Sequence, residues 1–469
     1  MASNGKTSAP THVLAAFIAL SLSIFLVALD TVLIPTALPT ISQSFHIPDS
    51  LYAWIGSSYL LANASSVPFW GKLSDIFGRK PVILTANAIF LGGSILCAVS
   101  VNAVMLIFGR VVQGLGGGGV VVLVHVCVSD LFTIRDRSFY MGTVGAVWAV
   151  ASALGPVLGG VFAQLGLQVG GISSYSNAGV ITCLLFGSLA YVAFPFSQHW
   201  VAQHGGSPIM PLRIFKDISN LSALAVCACD TVVFTSVAYF LPLYFQIVLG
   251  LQPEITGVCM LAVAIPLALV SFASGHVIEK TGRFLEVLQA GLFVMTLGVG
   301  LLISLGTTPS LGTIIAFMVV IGLGFGPNFG APLIALQTRI QEADIAAGTA
   351  AFGFVRSIFG AIGLVIGQVV FQLLMAPHYA KIIDSGIADD VAVNLTGGEA
   401  ISQSAAITNL TEFQKSVVRH SFMSALRGTW ILMTIVGAIG LLISFGIKRT
   451  KLRRERTTEL KELEVTSSD

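Results

Sequence analysis

Gly71-Lys72-Leu73-Ser74-Asp75-Ile76-Phe77-Gly78-Arg79-Lys80 and Gly275-His276-Val277-Ile278-Glu279-Lys280-Thr281-Gly282-Arg283 are two copies of one pattern, G-x-x-x-[DE]-x-x-G-R, in opposite halves of the chain. Each copy follows a long apolar run and precedes another. A repeat at this distance divides the chain into two similar units. Two such units related by an axis along a membrane normal, with a binding site between them at mid-depth, form a transporter plan.

Reading outward from the two loops, apolar runs long enough to cross the hydrocarbon core fall near 13–38, 52–71, 81–101, 104–128, 140–164 and 178–196. Six more lie near 219–248, 255–277, 286–306, 311–333, 347–374 and 426–447. The expected organisation is therefore an all-α membrane protein of two pseudo-symmetric six-helix bundles. The first bundle covers 1–196, a linker 197–218, the second bundle 219–447 with an outer loop 376–423, and a tail 448–469. Of the 469 residues, 55% are hydrophobic and 10% charged. A soluble domain carries about 25% charged residues, so the main solvent of this chain is lipid. The first apolar run, His12 to Leu38, is too long for the hydrophobic region of a signal peptide and reads as a retained span.

Charge placement fixes the orientation. Lys6, Lys72, Arg79, Lys80, Arg135, Arg137, Arg213, Lys216, Lys280, Arg283, Arg339 and the basic tail Lys448–Arg456 all fall on one side of the predicted membrane. The short loops on the other side contain no Lys or Arg. The positive-inside rule places the basic side and both termini in the cytosol. The net charge of +2 carries no message about nucleic acid. On the outer loop, Asn394-Leu-Thr396 and Asn409-Leu-Thr411 are glycosylation sequons. Asn63-Ala-Ser65 also matches, but lies inside a span.

Further residues resemble a known family. The Gly71–Lys80 loop resembles the signature of the major facilitator superfamily. Ala28-Leu-Asp30 through Pro39-Thr-Ile41, Arg110-Val-Val-Gln113-Gly114, Gly155-Pro156-Val-Leu-Gly159-Gly160, Tyr239-Phe-Leu-Pro242-Leu-Tyr244-Phe-Gln246 and Arg356 resemble the fungal drug:proton antiporter branch. That resemblance implies a proton-coupled exporter of drugs, toxins or secondary metabolites, with a plasma-membrane location and a monomeric state. Uptake of amino acids into the vacuole and a non-transporting sensor remain the alternatives. Members of the branch usually have fourteen spans. Here Gln164–Asn177 leads straight to one apolar run, Ala178–Phe196, which resembles the second of the two helices that normally join the halves.

The candidate site residues divide by role. Asp30, Arg110, Gln113 and Asp230 are polar groups inside spans, which by default face a cavity or a partner. Asp30 and Asp230 can titrate, whereas Arg110 stays charged and only tunes a neighbour. For each, a plain structural contact is the competing reading; Arg356 reads as structural. Resemblance gives the loops a gating role through Gly71, Asp75, Gly78 and Arg79, and through Gly275, Glu279, Gly282 and Arg283. Asp75 would face a helix of the other half, and Arg79 would pair with Asp130. Gly155, Pro156, Gly159 and Gly160 suit an antiporter hinge, because G-x-x-x-G spacing admits close helix approach and Pro removes a backbone donor.

Some chemistry is not indicated. Gly114–Gly119 lacks the Lys-[ST] that ends a phosphate-binding loop, so no nucleotide is expected. The six cysteines lie in apolar runs and read as packing residues, not metal ligands. The eight histidines are scattered, so neither cofactor nor enzymatic activity is expected. The expected partners are a small-molecule substrate, protons and the bilayer. The orientation is checked with epitope tags. A tag at either terminus should be reachable only after permeabilisation, and one within 376–423 in intact cells; the opposite pattern overturns the assignment.

Overall fold

A computed structural model describes residues 11–45, 49–134, 136–164, 212–341, 344–396 and 410–450. Among these residues there is no strand. The first half contributes α1 (Thr11–Phe45), α2 (Asp49–Phe77), α3 (Arg79–Ala98), α4 (Ala103–Leu131) and α5 (Asp136–Gln164). The second contributes α6 (Ile218–Leu243), α7 (Pro253–Thr281), α8 (Phe284–Leu302), α9 (Leu311–Asn328), α10 (Ala331–Gln337) and α11 (Ile345–Met375). Two short helices, α12 (Tyr379–Asp384) and α13 (Asp389–Thr396), precede the long α14 (Glu412–Ser444). The expected sixth span, 178–196, and the linker up to 211 lie outside the described residues.

The repeat read in the sequence is a repeat of backbone geometry. The second glycine of each copy breaks one helix and starts the next, with φ of 85° at Gly78 and 70° at Gly282. Only glycine takes such angles without steric cost. The packing also repeats. In the first half α1 lies on α5, α2 on α4 and α3 on α4. In the second half α6 lies on α11, α7 on α9 and α8 on α9, which are the matching pairs. Sequence sets these contacts through small residues. A Cβ on Gly116 would strike the backbone of Phe90 in α3, and one on Gly118 would lie 2.7 Å from the Asn63 carbonyl oxygen in α2. The glycine run in α4 is thus the groove in which α2 and α3 seat.

Helix ends have identifiable causes. Asn102 accepts from Met105 N–H and Ser310 from Thr313 N–H, capping α4 and α9. Thr411 and Gln414 form a capping box at the start of α14. Asp217 accepts from Ser219 N–H at the start of α6 and pairs with Arg339 at 2.9 Å. The Ser219 N–H and then Arg339 hold its carboxyl below the usual carboxylate range.

Two expectations need correction. The span predicted as 311–333 is two helices that run on to Gln337, because the chain turns at Phe329-Gly330 and Pro332 starts the second. The outer region is not a plain loop. Ile382, Ile387, Ala392 and Leu395 are buried in the same cluster as Val418 and Phe422 of α14. Apolar side chains spaced for short helices cover the start of α14, which therefore begins well before the predicted span.

Large apolar residues on the outside form helical stripes, such as Leu84, Leu91 and Ile95 on α3 and Ile435, Ile439 and Leu442 on α14. Such stripes suit lipid contact, and the chain is a multi-pass membrane protein. Eight of the described helices are long and apolar enough to span.

The two halves meet along α5 with α7 and along α2 with α11. The named contacts cluster toward the end of the molecule that carries the basic loops. A Cβ on Gly142 would lie 2.5 Å from the Ser271 carbonyl oxygen, and one on Gly275 would strike the Ser138 carbonyl oxygen. Phe139 meets Phe272 edge-on at 5.1 Å between ring centroids. Ser271 Oγ donates to the Gly142 carbonyl at 3.1 Å. Across the other seam, Gly71 abuts Ala350, and Ser357 Oγ donates to Asn63 Oδ1 at 3.0 Å. This closure predicts the effect of a single methyl group. Gly142→Ala or Gly275→Ala should overpack the seam at about 1–3 kcal/mol. Disulfide cross-linking between Phe139→Cys and Phe272→Cys, with the native cysteines replaced, should fall several-fold in either variant. Unchanged cross-linking would show that the seam tolerates the added atom.

Candidate functional site

Two polar clusters sit inside the bundle, one in each half. In the first, Arg110 on α4 is 2% exposed. Its Nη1 donates to Asp30 Oδ2 on α1 at 2.7 Å and to Gln113 Oε1 at 2.6 Å. Gln113 Nε2 donates to Asp30 Oδ1 at 2.7 Å and to Ser94 Oγ on α3 at 2.9 Å. The guanidinium lies 4.3 Å from the centroid of the Tyr59 ring on α2, and Nε donates to the Ile55 carbonyl. Asp30, Arg110 and Gln113 therefore form one knot joining four helices. An Arg at this depth is expensive unless matched; here a carboxylate, an amide, a carbonyl and an aromatic face match it.

The second cluster lies on α6, α8, α9 and α11. Asp230 is 5% exposed and accepts from Asn328 Nδ2 at 3.1 Å. The Asn328 amide also faces Met295 Sδ at 3.7 Å. Arg356 lies over the Phe329 ring, with its guanidinium carbon 4.0 Å from the centroid, and donates to the Phe329 carbonyl at 3.4 Å. At 1.5 Å per residue, Asp230 and Arg356 stand about 17–18 Å along their helices from the basic end, near the middle of a hydrocarbon core about 30 Å thick. Phe329 also meets Trp148 of α5 at 6.1 Å and Phe234 of α6 at 6.3 Å. An aromatic group shared by both halves thus adjoins the second cluster.

At the basic end, Arg79 ties the first loop together. Its Nε donates to Asp130 at 2.7 Å, and its Nη1 to Asp75 at 2.6 Å and to Ser74 Oγ at 2.7 Å. These partners all belong to the first half, and Gly71, one turn before Asp75 on α2, abuts Ala350 near the start of α11. The side chains are partly exposed, and pairs of that kind contribute about 0–1 kcal/mol each. In the second copy, Glu279 pairs with His276 at 3.1 Å, and Arg283 is exposed with no ion pair among the described residues. A further polar contact between the halves lies at this end. Gln337 of α10, 2% exposed, donates to Ser129 Oγ of α4 at 2.8 Å and to Thr349 at 3.0 Å, and accepts from Arg137 at 3.4 Å.

Gly155, Pro156, Gly159 and Gly160 fall within α5, in a stretch whose side-chain surroundings are not described. Asn394 lies in α13, and Asn409 lies outside the described residues. Among the described residues no group of three His, Cys, Asp or Glu side chains can hold a metal ion. Sequence reading missed Tyr59, Ser94, Asn328, Phe329 and Gln337. Asn328 carried a signal, a carboxamide just after a proline in an apolar run. The aromatic partners carried none, because aromatic residues are common throughout the spans.

Comparison with known proteins gives concordant results. The model described as Major Facilitator Superfamily matches residues 20–364. The chain is 37% identical to the MFS-type transporter ppz2 of Metarhizium majus, across 97% of this chain and 88% of that protein. It is 38% identical to the efflux pump dotC of Dothistroma septosporum, across 93% of this chain and 84% of the relative. It is 30% identical to the efflux pump FUS6 of Gibberella fujikuroi, across 94% and 90%. The ppz2 alignment runs over 515 positions, more than the 469 residues of this chain, so that relative carries residues without a counterpart here. In fold, the chain is similar to a bacterial homologue of the human lysosomal transporter Spinster in an inward-facing, occupied conformation. The TM-score is 0.62 at 15% identity, covering 92% of this chain and 96% of that one.

The buried ion pair makes a stability prediction. Arg110→Met leaves the Asp30 carboxylate with Gln113 as its partner among the described residues, and removing one partner of a buried pair costs about 3–5 kcal/mol. The thermal midpoint of the purified protein should drop clearly, and the double variant Asp30→Asn/Arg110→Gln should recover most of the loss. A midpoint equal to the parent's in Arg110→Met would show that the pair does not hold α1 to α4.

Proposed function

Because the chain belongs to the Major Facilitator Superfamily, we propose that it exports small organic molecules of the drug, toxin or secondary-metabolite kind, in exchange for protons. It is a membrane transporter, and the exchange runs by alternating access between its two halves. The observation that carries the proton coupling is the pair of polar clusters inside the bundle, Asp30–Arg110–Gln113 and Asp230–Asn328 with Arg356 nearby. Uphill movement needs an energy source, and the sequence has no nucleotide-binding loop. Ionisable groups at membrane depth are the default candidates for a proton path.

Direction and orientation have their own support. Relatives named efflux pumps match more than nine-tenths of this chain. With the basic end taken as cytosolic, the seams described above lie on the cytosolic side, which supports an outward-facing reading of this conformation. That is the state in which an exporter releases substrate and takes up a proton. The plasma membrane is the location that fits this reading.

The energetics are testable. A pH step of one unit supplies about 1.4 kcal/mol per proton, enough for about a tenfold substrate gradient in one-for-one electroneutral exchange. Proteoliposomes carrying the protein should move ethidium up its gradient when a pH step is imposed, and stop when an ionophore collapses the step. Transport that ignores the step would replace antiport with a facilitator or another coupling ion.

A further inference from the structure

The two carboxyl groups at membrane depth, each on the first helix of its half, have opposite surroundings. Asp30 receives charged and neutral donors at 2.7 Å from Arg110 and Gln113. Asp230 receives one neutral donor, the Asn328 amide, and no cation lies within ion-pair distance of it among the described residues. The groups in electrostatic range of it are Arg356 from α11 and the thiols of Cys227 and Cys229 on its own helix. Arg356 is engaged with the ring and carbonyl of Phe329. A buried carboxylate with one neutral hydrogen-bond partner is costly to keep ionised. A second atom points the same way. Asn328 Oδ1 is buried and has no donor, on an amide whose other end already touches Asp230, so a proton on Asp230 adds a donor beside that amide. Turning the amide over keeps the requirement, because its oxygen would then face a carboxyl oxygen at 3.1 Å and need a proton between them.

Building on the proton-driven reading above, we propose that Asp230 carries the exchanged proton and is protonated in this conformation. Asn328 positions it, and Arg356 becomes its partner when the proton leaves. Asp30, already held by Arg110, is a fixed charge and not the carrier. When the basic end opens, the Asp230 O–H bond breaks, the proton passes to water on that side, and the electron pair stays on the carboxylate. The carboxylate then draws the guanidinium of Arg356 from the Phe329 ring. Phe329 is the residue that meets Trp148, and a Cβ on Gly145 of α5 would lie 3.2 Å from its own Cβ. Asn328 and Phe329 are adjacent in the chain, so the proton site and the seam share one turn of backbone. The seam reads the protonation of Asp230 through two side chains.

The test is infrared difference spectroscopy of the purified protein in lipid, titrated from neutral to alkaline pH. The parent should show a carboxylic-acid C=O band that titrates. The band should be lost in Asp230→Asn, displaced in Asn328→Leu and retained in Asp30→Asn. Should Asp230→Asn fail to insert, a displaced band in Asp230→Glu serves the same purpose. A band that survives Asp230→Asn, a band lost in Asp30→Asn, or no titrating band in the parent overturns the proposal. A second readout is ethidium movement under a pH step in proteoliposomes. Asp230→Asn should lose the acceleration by the step, and Arg356→Gln should lose it while keeping the band; acceleration equal to the parent's in Asp230→Asn also overturns the proposal. If the parent shows the expected band but ignores the step with ethidium, the proton site stands and proton-driven export of that probe fails.

Discussion

Lipid offers no hydrogen-bond partner, so every polar group carried into the spans must be matched within the protein. That constraint accounts for the arrangement of the first half. Arg110 cannot shed its charge, and α1, α2, α3 and α4 each bring a group to it or to its partners. One arginine therefore fixes how four helices stand relative to one another. The second half obeys the same constraint less completely. Its arginine rests on an aromatic ring and its aspartate on an amide. A tightly matched knot suits a rigid support, and a loosely matched one suits groups that exchange partners during a cycle.

The seam between the halves depends on a different interaction, backbone against backbone. Where α5 crosses α7, glycines on both helices let carbonyl oxygens approach the facing chain. Aromatic contacts between Phe139 and Phe272 and between Trp148 and Phe329 flank that crossing. The buried Gln337 bonds with Ser129 and Arg137 fix the register at the basic end. Close packing of this kind has few intermediate settings. A transporter that alternates between two closures needs such a seam, since packed interfaces tend to be bistable and not continuously deformable.

The two copies of the loop repeat show how symmetry of fold survives divergence of detail. Both use their second glycine to reverse the chain at a positive φ. Only the first uses its arginine to gather two carboxylates; Arg283 is exposed. The backbone turn is common to both because the packing of α2 on α4 and of α7 on α9 requires it. The ion-pair network belongs to one half and is a local addition.

By itself the sequence determined the membrane setting, the two-fold division and the helix-breaking glycines, because these follow from apolar length, from spacing and from the angles that only glycine adopts. It also singled out Asp30, Arg110, Gln113 and Asp230, since polar groups inside apolar runs stand out whatever the fold. Pairing was legible only where the resemblance implied it, at Arg79 with Asp130. That Arg110 takes Asp30, that Asp75 serves Arg79 within its own half, and that Asn328 rather than an arginine touches Asp230 depend on which helix faces come together. Those faces are set by glycine contacts between helices far apart in the chain. The polar latch at Gln337 and the short helices over α14 were hidden for the same reason. A glutamine near a span end and a few apolar residues in an outer segment acquire roles only when distant helices bury them.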